Sequence, residues 1–323
     1  MLLSACRQGS SIALNYTNAQ DEVPQLGNLV FRFSGTLVPD SLLNRWDSTP
    51  YIKFKPAIPG RFRWQQSNEL VFSPAAPLAP ATSYTASFNE KAITGFAAGK
   101  SLKTDKDLRF YTPNLTLQDV QPMWTRADGA GAALLQLEAQ FNYPVAAEAL
   151  AEKLTVQVDG KKANFTVVSS GKTDRVQLRL APFAVEDRDY KLNLQVAKGI
   201  VPEGGSNGMP QTAEQDFIMP SPLVLTIQEV TANHDGERGT ISVHTSQPLE
   251  PGQLASFIRF DNAIRYTAEP TDFGMVITSA QFNPDAAYQL TFNRGLRGQL
   301  GGTLREDYGT PVAFGSLEPS LSF

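Results

Sequence analysis

The side chains that could carry out chemistry in this chain are few and far apart. His234 and His244 are the two histidines in 323 residues, and neither stands at metal-ligand spacing from another histidine, a cysteine or paired carboxylates. Cys6 is the one cysteine, so no intrachain disulfide can form, and no Gly-x-Ser-x-Gly nucleophile elbow occurs. We therefore expect a protein that is not an enzyme and that holds no cofactor and no metal.

Two charged segments offer carboxylates. Residues 233–239 (Asn-His-Asp-Gly-Glu-Arg-Gly) could hold a calcium ion through Asp235 and Glu237, but the same sequence is typical of a hairpin turn between two strands. Residues 186–189 (Glu-Asp-Arg-Asp) precede a strand, where charge ordinarily only solvates a loop. The sequence favours a polar turn in both places.

The three tryptophans could stack on a sugar, but they are scattered along the chain. They are Trp46, Trp64 and Trp124. Packing inside the cores or between domains is the simpler interpretation of all three.

Composition limits the classes of partner. The chain carries 28 basic and 32 acidic residues, a net charge of −4 spread along the sequence. Nucleic-acid binding would need a concentrated basic face, so we expect no nucleic acid among the partners. No apolar run approaches the roughly 18 residues of a membrane helix. The 22 prolines and 24 glycines interrupt short alternating segments, which is typical of many-stranded all-β domains.

Cys6 stands in a distinctive setting. It follows Leu3, Ser4 and Ala5, a pattern that resembles the bacterial lipobox, in which the cysteine is lipidated and becomes the mature N-terminus. An ordinary terminal cysteine with chance neighbours is the alternative. The charged and apolar parts of a signal peptide do not precede it, so we expect that the start codon is misassigned or the sequence is clipped. A lipid on Cys6 would anchor the protein to a membrane without spanning it.

One pattern recurs three times, with copies roughly a hundred residues apart, and predicts tandem folding units. Each copy has an apolar residue, a proline two positions later, and then a tyrosine with an apolar residue four positions after it. The members are Phe72, Pro74, Tyr84 and Phe88, then Leu180, Pro182, Tyr190 and Leu194, and finally Phe282, Pro284, Tyr288 and Phe292. Each tyrosine either anchors its hydroxyl on nearby backbone or is a plain core aromatic.

Alternating strands around these landmarks predict an all-β protein of three tandem immunoglobulin-like β-sandwich domains. The expected boundaries are a lipobox and tether over 1–19, sandwiches over 20–113, 114–221 and 222–319, and the start of a truncated further module over 320–323.

Three segments of the first unit carry a family resemblance. They are 59–64 (Pro-Gly-Arg-Phe-Arg-Trp), 69–74 (Glu-Leu-Val-Phe-Ser-Pro) and 77–85 (Pro-Leu-Ala-Pro-Ala-Thr-Ser-Tyr-Thr). Together they resemble the bacterial Ig-like module that opens bacterial alpha-2-macroglobulins, the large envelope lipoproteins that trap proteases. Weaker copies around Pro182 and Pro284 extend the resemblance over 20–323. The family's Cys-Gly-Glu-Gln thioester centre is absent, as is a bait-like segment, so the resemblance is to the N-terminal modules alone.

The resemblance implies a non-catalytic stalk at the N-terminus of an alpha-2-macroglobulin-like protease inhibitor. It would be a lipoprotein of the bacterial cell envelope, facing the periplasm or the cell surface, with a lipid anchor in the membrane. Proteases would be partners through the missing downstream part, alongside other envelope proteins. The alternative is an envelope adhesion or wall-associated protein built from the same modules, and an enzyme is a distant third.

Overall fold

The computed structural model describes residues 11–104, 107–126, 133–252 and 254–314. The described residues form three β-sandwiches in a row, called here sandwich 1 (residues 11–113), sandwich 2 (residues 114–221) and sandwich 3 (residues 222–314). The lipobox residues Leu3, Ser4, Ala5 and Cys6 lie outside the described residues, as does the segment 320–323.

Sandwich 1 contains ten strands and one short helix. The strands are β1 Ser11–Thr17, β2 Asp21–Glu22, β3 Leu29–Phe33, β4 Trp46–Asp47, β5 Ile52–Lys55, β6 Gly60–Gln66, β7 Glu69–Pro74, β8 Ser83–Phe88, β9 Ser101–Lys103 and β10 Leu108–Tyr111. Helix α1 spans Glu90–Thr94, and a 3-10 turn spans Asp40–Leu42. One sheet has the order β4-β6-β7-β3-β1-β9 and the other β2-β10-β8-β5.

Sandwich 2 contains eight strands in two four-stranded sheets. The strands are β11 Leu117–Arg126, β12 Ala133–Ala146, β13 Leu154–Val158, β14 Lys161–Ala163, β15 Phe165–Val167, β16 Lys172–Leu180, β17 Tyr190–Val196 and β18 Ala213–Met219. Helix α2 spans Ala147–Leu150 and continues as a 3-10 turn, Ala151–Lys153. The sheet orders are β11-β12-β16-β15 and β14-β13-β17-β18.

Sandwich 3 repeats this plan with seven strands. They are β19 Ile227–His234, β20 Gly239–Thr245, β21 Ile258–Phe260, β22 Thr267–Thr271, β23 Gly274–Ser279, β24 Ala287–Phe292 and β25 Tyr308–Ala313, and a 3-10 turn spans Leu254–Phe257. The sheet orders are β19-β20-β23-β22 and β21-β24-β25.

The three units share one order of seven strands, to which sandwiches 1 and 2 add further strands at the sheet edges, and this confirms the predicted fold class. The strand that leads to each shared proline (β7, β16 or β23) lies inside the first sheet, and the strand that begins at or next to each repeated tyrosine (β8, β17 or β24) lies inside the second. The chain therefore crosses from one sheet to the other at the repeated motif. Sheets that face each other with such crossings make the immunoglobulin-like sandwich.

Period-2 burial explains why these segments are strands. In β17, every second residue from Tyr190 to Val196 is buried, and the residues between them are exposed or half-buried. The buried faces make three separate cores, each confined to one sandwich. Burying one large apolar side chain contributes roughly 1.5–3 kcal/mol, so each unit has its own source of stability.

The first sandwich begins earlier than the predicted boundary at residue 20. Strand β1 pairs with β3 and with β9, and Ile12 and Ala19 belong to the first core. The expected tether over 1–19 is therefore wrong from residue 11 onward. The sequence before residue 20 holds one strand, and a register shift between Leu14 and Tyr16 interrupts its alternation of buried and exposed residues.

Candidate functional site at the joints

The three repeated tyrosines hold the loop that precedes each tyrosine strand. Their side chains are 4 %, 1 % and 7 % exposed for Tyr84, Tyr190 and Tyr288. Each hydroxyl accepts a hydrogen bond from a backbone N–H four or five residues earlier, at 2.9 Å from Ala79, 2.5 Å from Glu186 and 2.7 Å from Asn283. Burial raises the pKa of Tyr84 above its ordinary value. We call the segments 75–83 and 183–189 the corner loops of sandwiches 1 and 2.

The other apolar repeat residues lie in or against the cores, whereas Pro182 is exposed and Pro74 and Pro284 are half-buried. Phe72, Leu180 and Phe282 are each 2 % exposed, Leu194 and Phe292 are fully buried, and Phe88 packs against the first core from a half-buried position. These residues occupy equivalent places in the three units, because each apolar-x-Pro pair lies at the end of the strand that leads out of the first sheet or within a few residues after it.

The first corner loop is bonded to sandwich 2. The carbonyl oxygen of Ala81 accepts hydrogen bonds from the backbone N–H groups of Asn207, at 2.7 Å, and Ser206, at 3.2 Å. The side-chain amide of Asn207 also donates to the Ser83 hydroxyl, at 2.9 Å. A Cβ added at Gly205 would lie 2.8 Å from the carbonyl oxygen of Pro80, so glycine permits this close approach.

The linker between these two sandwiches is tied to the same loop. The fully buried hydroxyl of Thr112 donates to the Ala79 carbonyl, at 2.6 Å, and accepts from the Thr82 N–H, at 2.9 Å. The N–H of Ala81 donates to the Pro113 carbonyl, at 3.1 Å. We call these contacts together the first joint. Among the described residues no ion pair crosses it.

The second corner loop is bonded to sandwich 3 in a different way. Asp187 forms an ion pair with Arg305 of sandwich 3. The buried hydroxyl of Ser221, in the linker, donates to the Glu186 carbonyl, at 2.8 Å. The indole N–H of Trp124 donates to the Pro220 carbonyl, at 2.8 Å. We call these contacts the second joint.

Charged side chains fix the second corner loop to its own sandwich as well. Arg188 pairs with Glu186 and with Asp159, and its guanidinium lies 4.6 Å from the centre of the Tyr190 ring. Hydrogen bonds to Glu186 and Asp159 raise the pKa of Arg188 above its usual value. A backbone hydrogen bond from Lys191, followed by the one from Arg188, lowers the pKa of Asp159. The expectation that 186–189 only solvates a loop is wrong, because these charges face other side chains.

A cleft of about 600 Å³ opens at the second joint. Apolar side chains line much of it: Met123, Trp124, Met219, Pro220, Val224 and Leu300. Clefts between domains of this size are common places for a ligand. Its polar lining includes Gln247, whose side-chain amide nitrogen and oxygen both form hydrogen bonds within the protein.

Gln247 fastens the linker inside sandwich 3. Its amide nitrogen donates to the Pro222 carbonyl, at 2.9 Å, and its oxygen accepts from the N–H of Leu300, at 2.9 Å, and of Gly302, at 3.3 Å. A Cβ added at Gly302 would lie 2.2 Å from the Gln247 amide nitrogen. Gln247 is 4 % exposed, so these bonds satisfy a buried amide.

His234 and the 233–239 segment make hydrogen bonds that stabilise the fold locally. His234 is 7 % exposed, accepts at Nδ1 from the Gly236 N–H and places Nε2 3.0 Å from the Phe282 carbonyl, so Nε2 carries the proton. Asp235 accepts from the N–H groups of Glu237 and Arg238, which lowers its pKa and closes the hairpin between β19 and β20. Within the ranges that the structure describes, no group of three His, Cys, Asp or Glu residues could hold a metal ion.

The tryptophans divide into three situations. Trp64 lies in the first core and Trp124 at the second joint. Trp46 is 45 % exposed, and the Arg63 guanidinium lies 4.6 Å from its ring centre. Core or interdomain packing is therefore the wrong explanation for Trp46, because its short edge strand faces solvent.

Comparisons with known proteins give weak similarities. No protein-family model and no curated protein matches the sequence. An L,D-transpeptidase from Mycobacterium tuberculosis H37Rv is 12 % identical over 64 % of this chain and 76 % of its own, with a TM-score of 0.21. L,D-transpeptidase 3 from Mycobacterium tuberculosis, in complex with a faropenem-derived adduct, is 10 % identical over 94 % of this chain and 90 % of its own, with a TM-score of 0.21. The Escherichia coli adhesin FdeC is 12 % identical over 94 % and 98 %, with a TM-score of 0.20.

Identities and TM-scores this low carry no inference about function, which must come from the chain's own residues. Over the described residues, no helix has the length and apolar character needed to cross a membrane.

Proposed function

We propose that this chain is a non-catalytic stalk whose sandwiches position another part of a larger envelope protein. The observation that supports this most is that both linkers are bonded to the corner loop of the preceding sandwich. Buried Thr112 does this at the first joint, and buried Ser221 does it at the second. Hydrogen bonds that tie a linker to its flanking domains limit the angles that the domains can take, which suits a spacer.

In its finer form, the proposal is that the stalk belongs to an alpha-2-macroglobulin-like protease inhibitor of the bacterial envelope. The support is the Ig-like module motif, whose segment 77–85 makes up most of the first corner loop, and the lipobox-like sequence ending at Cys6. Lipidated Cys6 would anchor the protein, facing the periplasm or the cell surface. Trapping of proteases would belong to a downstream part.

Small-angle scattering of the full chain tests the stalk. One compact globule of this length would have a radius of gyration of about 20 Å, and the stalk predicts a clearly larger value. The same sample should leave the activity of added proteases unchanged, since the trapping part is elsewhere. A radius of gyration near 20 Å would contradict the stalk. Inhibition of proteases by this chain alone would contradict the proposal that trapping belongs to a downstream part.

The anchor is tested in bacteria that express the whole protein and are fed a labelled fatty acid. The wild-type protein should carry the label and sediment with membranes, whereas Cys6→Ser should lose the label and become soluble. Equal labelling of the two proteins would remove the anchor from the proposal without affecting the stalk.

A further inference from the structure

The outer face of the larger sheet in sandwich 1 collects arginines and aromatic rings from four distant segments. Trp46 on β4 lies opposite Arg63 on β6, and Arg32 on β3 lies opposite Tyr16 on β1. Arg61 is two residues from Arg63 and shares its face. Phe62 and Trp64 alternate with these two arginines along β6 and belong to the core on the other side of the sheet. The protein thus has a local basic face although its net charge is −4.

The long side chains on this face cover the middle of the sheet. Val71 lies opposite Arg63 and is 2 % exposed, yet it is not part of the first core. It is therefore covered from the outside, as happens when arginine stems lie along apolar surface. Arg32 binds one oxygen of Glu69 through two nitrogens, at 2.6 and 2.9 Å, so Glu69 is neutralised in place.

Two guanidinium groups on this face keep hydrogen-bonding capacity. In the described part of the chain, neither Arg61 nor Arg63 forms an ion pair with a carboxylate. The Nε of Arg63 is buried and has no hydrogen-bond partner, and its terminal nitrogen has only a long contact, 3.4 Å, to Gln65. The Nε atoms of Trp64 and Arg179 are also buried without a partner, and a buried nitrogen is closed to an external ligand, so the terminal nitrogens of Arg63 are the donors that remain for one.

A depression of about 310 Å³ lies beside these groups. It is lined by Trp46, Gly60, Arg61, Ser73 and Ala75. A Cβ at Gly60 would come within 2.4 Å of the Phe72 ring and of the Ser73 carbonyl oxygen, so position 60 must be glycine. The volume is at the small end of ligand pockets, suitable for one ring.

We propose that this surface, made by Trp46, Arg61 and Arg63 and called here the Arg–Trp face, binds an anionic polysaccharide. A sugar ring would lie against the face of the half-exposed indole that the Arg63 guanidinium does not cover, because that electron-rich face attracts C–H groups. A carboxylate on the sugar would receive the forked donors of the arginines, the geometry in which arginine binds carboxylates best. This binding function goes beyond the stalk and does not depend on it.

A glycan suits the Arg–Trp face better than a nucleic acid does. Single-stranded nucleic acids are held by several aromatic platforms along a continuous positive groove. Here the indole already carries the Arg63 guanidinium, 4.6 Å from its ring centre, and Arg61 stands beside them without an ion pair among the described residues. Glu69 and Asp47 are near, on a chain with net charge −4. A depression of about 310 Å³ has room for one sugar ring and its carboxylate, whereas a nucleic-acid strand would need a row of stacking platforms.

The test measures binding of the full chain to polygalacturonate, a polymer with one carboxylate per sugar, by titration calorimetry. Neutral dextran and an oligo-dT strand are the comparison ligands. The proposal expects binding to polygalacturonate that weakens as salt is added, with little binding to dextran or oligo-dT. Absence of binding to polygalacturonate, equal binding to dextran, or preference for oligo-dT would each overturn it.

Variants locate the site. Trp46→Ala and Arg61→Gln should each weaken binding by about tenfold or more, whereas Arg109→Gln should leave it unchanged. Arg109 is the matched control because it is an exposed arginine on β10, in the other sheet of the same sandwich. Unaltered urea unfolding of each variant shows that the fold is intact. Equal affinity of Arg61→Gln and Arg109→Gln would place the binding elsewhere and contradict the proposal.

Discussion

The two joints use the same loop of the sandwich and different chemistry. At the first joint, the corner loop bonds its neighbour through uncharged groups: the Ala81 carbonyl and the side chains of Asn207 and Ser83. At the second joint, the corresponding loop uses the Arg305–Asp187 ion pair and leaves a cleft of about 600 Å³ beside it. Both partners of that ion pair are about half exposed. Exposed ion pairs contribute little and are screened by salt, so we infer that the second joint is the weaker and the more sensitive to conditions.

The difference shows what a repeat preserves. The repeated tyrosine fixes the shape of the corner loop in each unit, and this is visible in the sequence. The groups that face the next sandwich are not part of the repeat, so each joint can have its own stiffness. Substitutions can therefore test the repeated tyrosine separately from the groups that face the next sandwich.

Loss of a tyrosine ring should be the largest effect and should be alike at both joints. Tyr84→Ala and Tyr190→Ala should each lower the free energy of unfolding by about 3–5 kcal/mol, as truncation of a buried aromatic does. Phenylalanine at either position removes only the hydroxyl that holds the loop and should cost about 1 kcal/mol. Urea unfolding measures all four variants. A cost well below 1 kcal/mol for Tyr84→Ala would contradict the role of the ring.

The next largest loss of stability should follow from adding a methyl group at a glycine of the first joint. Gly205→Ala forces its Cβ toward the Pro80 carbonyl and should cost about 1–3 kcal/mol at the first joint. Gly35→Ala is the control, because its Cβ would meet only ordinary contacts of 3.7 Å or more. The readout is the urea midpoint, together with protease cleavage in the linker near Pro113. If the two variants behave alike, Gly205 does not mark a close approach.

Removing a polar contact should have a different salt dependence at each of the two joints. Asn207→Ala removes the side-chain hydrogen bond to Ser83 at the first joint, keeps the backbone bond to Ala81, and should cost about 1 kcal/mol at any ionic strength. Arg305→Gln should cost less than about 1 kcal/mol at low salt, and the cost should vanish near 1 M salt. Unfolding at two salt concentrations measures both. A salt-dependent effect of Asn207→Ala, or a salt-independent effect of Arg305→Gln, would remove the contrast between the joints.

Acid should weaken the second corner loop through Asp159. The pKa of Asp159 is lowered in the folded protein, so its stabilising effect is present above its unfolded pKa of about 3.9 and is lost as the pH falls through the lower folded value. The difference in stability between wild type and Asp159→Asn should therefore shrink below pH 4. Thermal unfolding between pH 2 and pH 6 measures it. A constant difference over that range would show that the charge of Asp159 does not act on the loop.

The sequence predicted the fold from its strongest signals. Tyr84, Tyr190 and Tyr288 each stand in a strand with period-2 burial, and such patterns are local, so a single sequence displays them. The start of sandwich 1 does not show in the sequence, because a register shift between Leu14 and Tyr16 breaks the alternation of β1 and because its partner β9 lies far along the chain. No local pattern records a pairing of that kind.

The joints and the Arg–Trp face could not be predicted from the sequence, for a related reason. Asp187 and Arg305 are separated by more than a hundred residues, and Trp46 comes from a different strand than Arg61 and Arg63, so that only the sheet brings them together. One signal was available: Glu186 and Asp187 precede the repeated tyrosine at the place where Ala79 to Ser83 precede it in the first unit. Treating those segments as equivalent would have identified the second corner loop as a contact surface.

The most direct measurement is the distance between spin labels across each joint as salt is raised. With Cys6→Ser as background, Lys53→Cys and Lys162→Cys report on the first joint, and Lys162→Cys and Glu269→Cys report on the second; all three positions are exposed. The account predicts one narrow distance distribution for the first joint at every salt concentration, and a distribution for the second joint that broadens as the ion pair is screened. Broad distributions at both joints, or identical responses to salt, would contradict it.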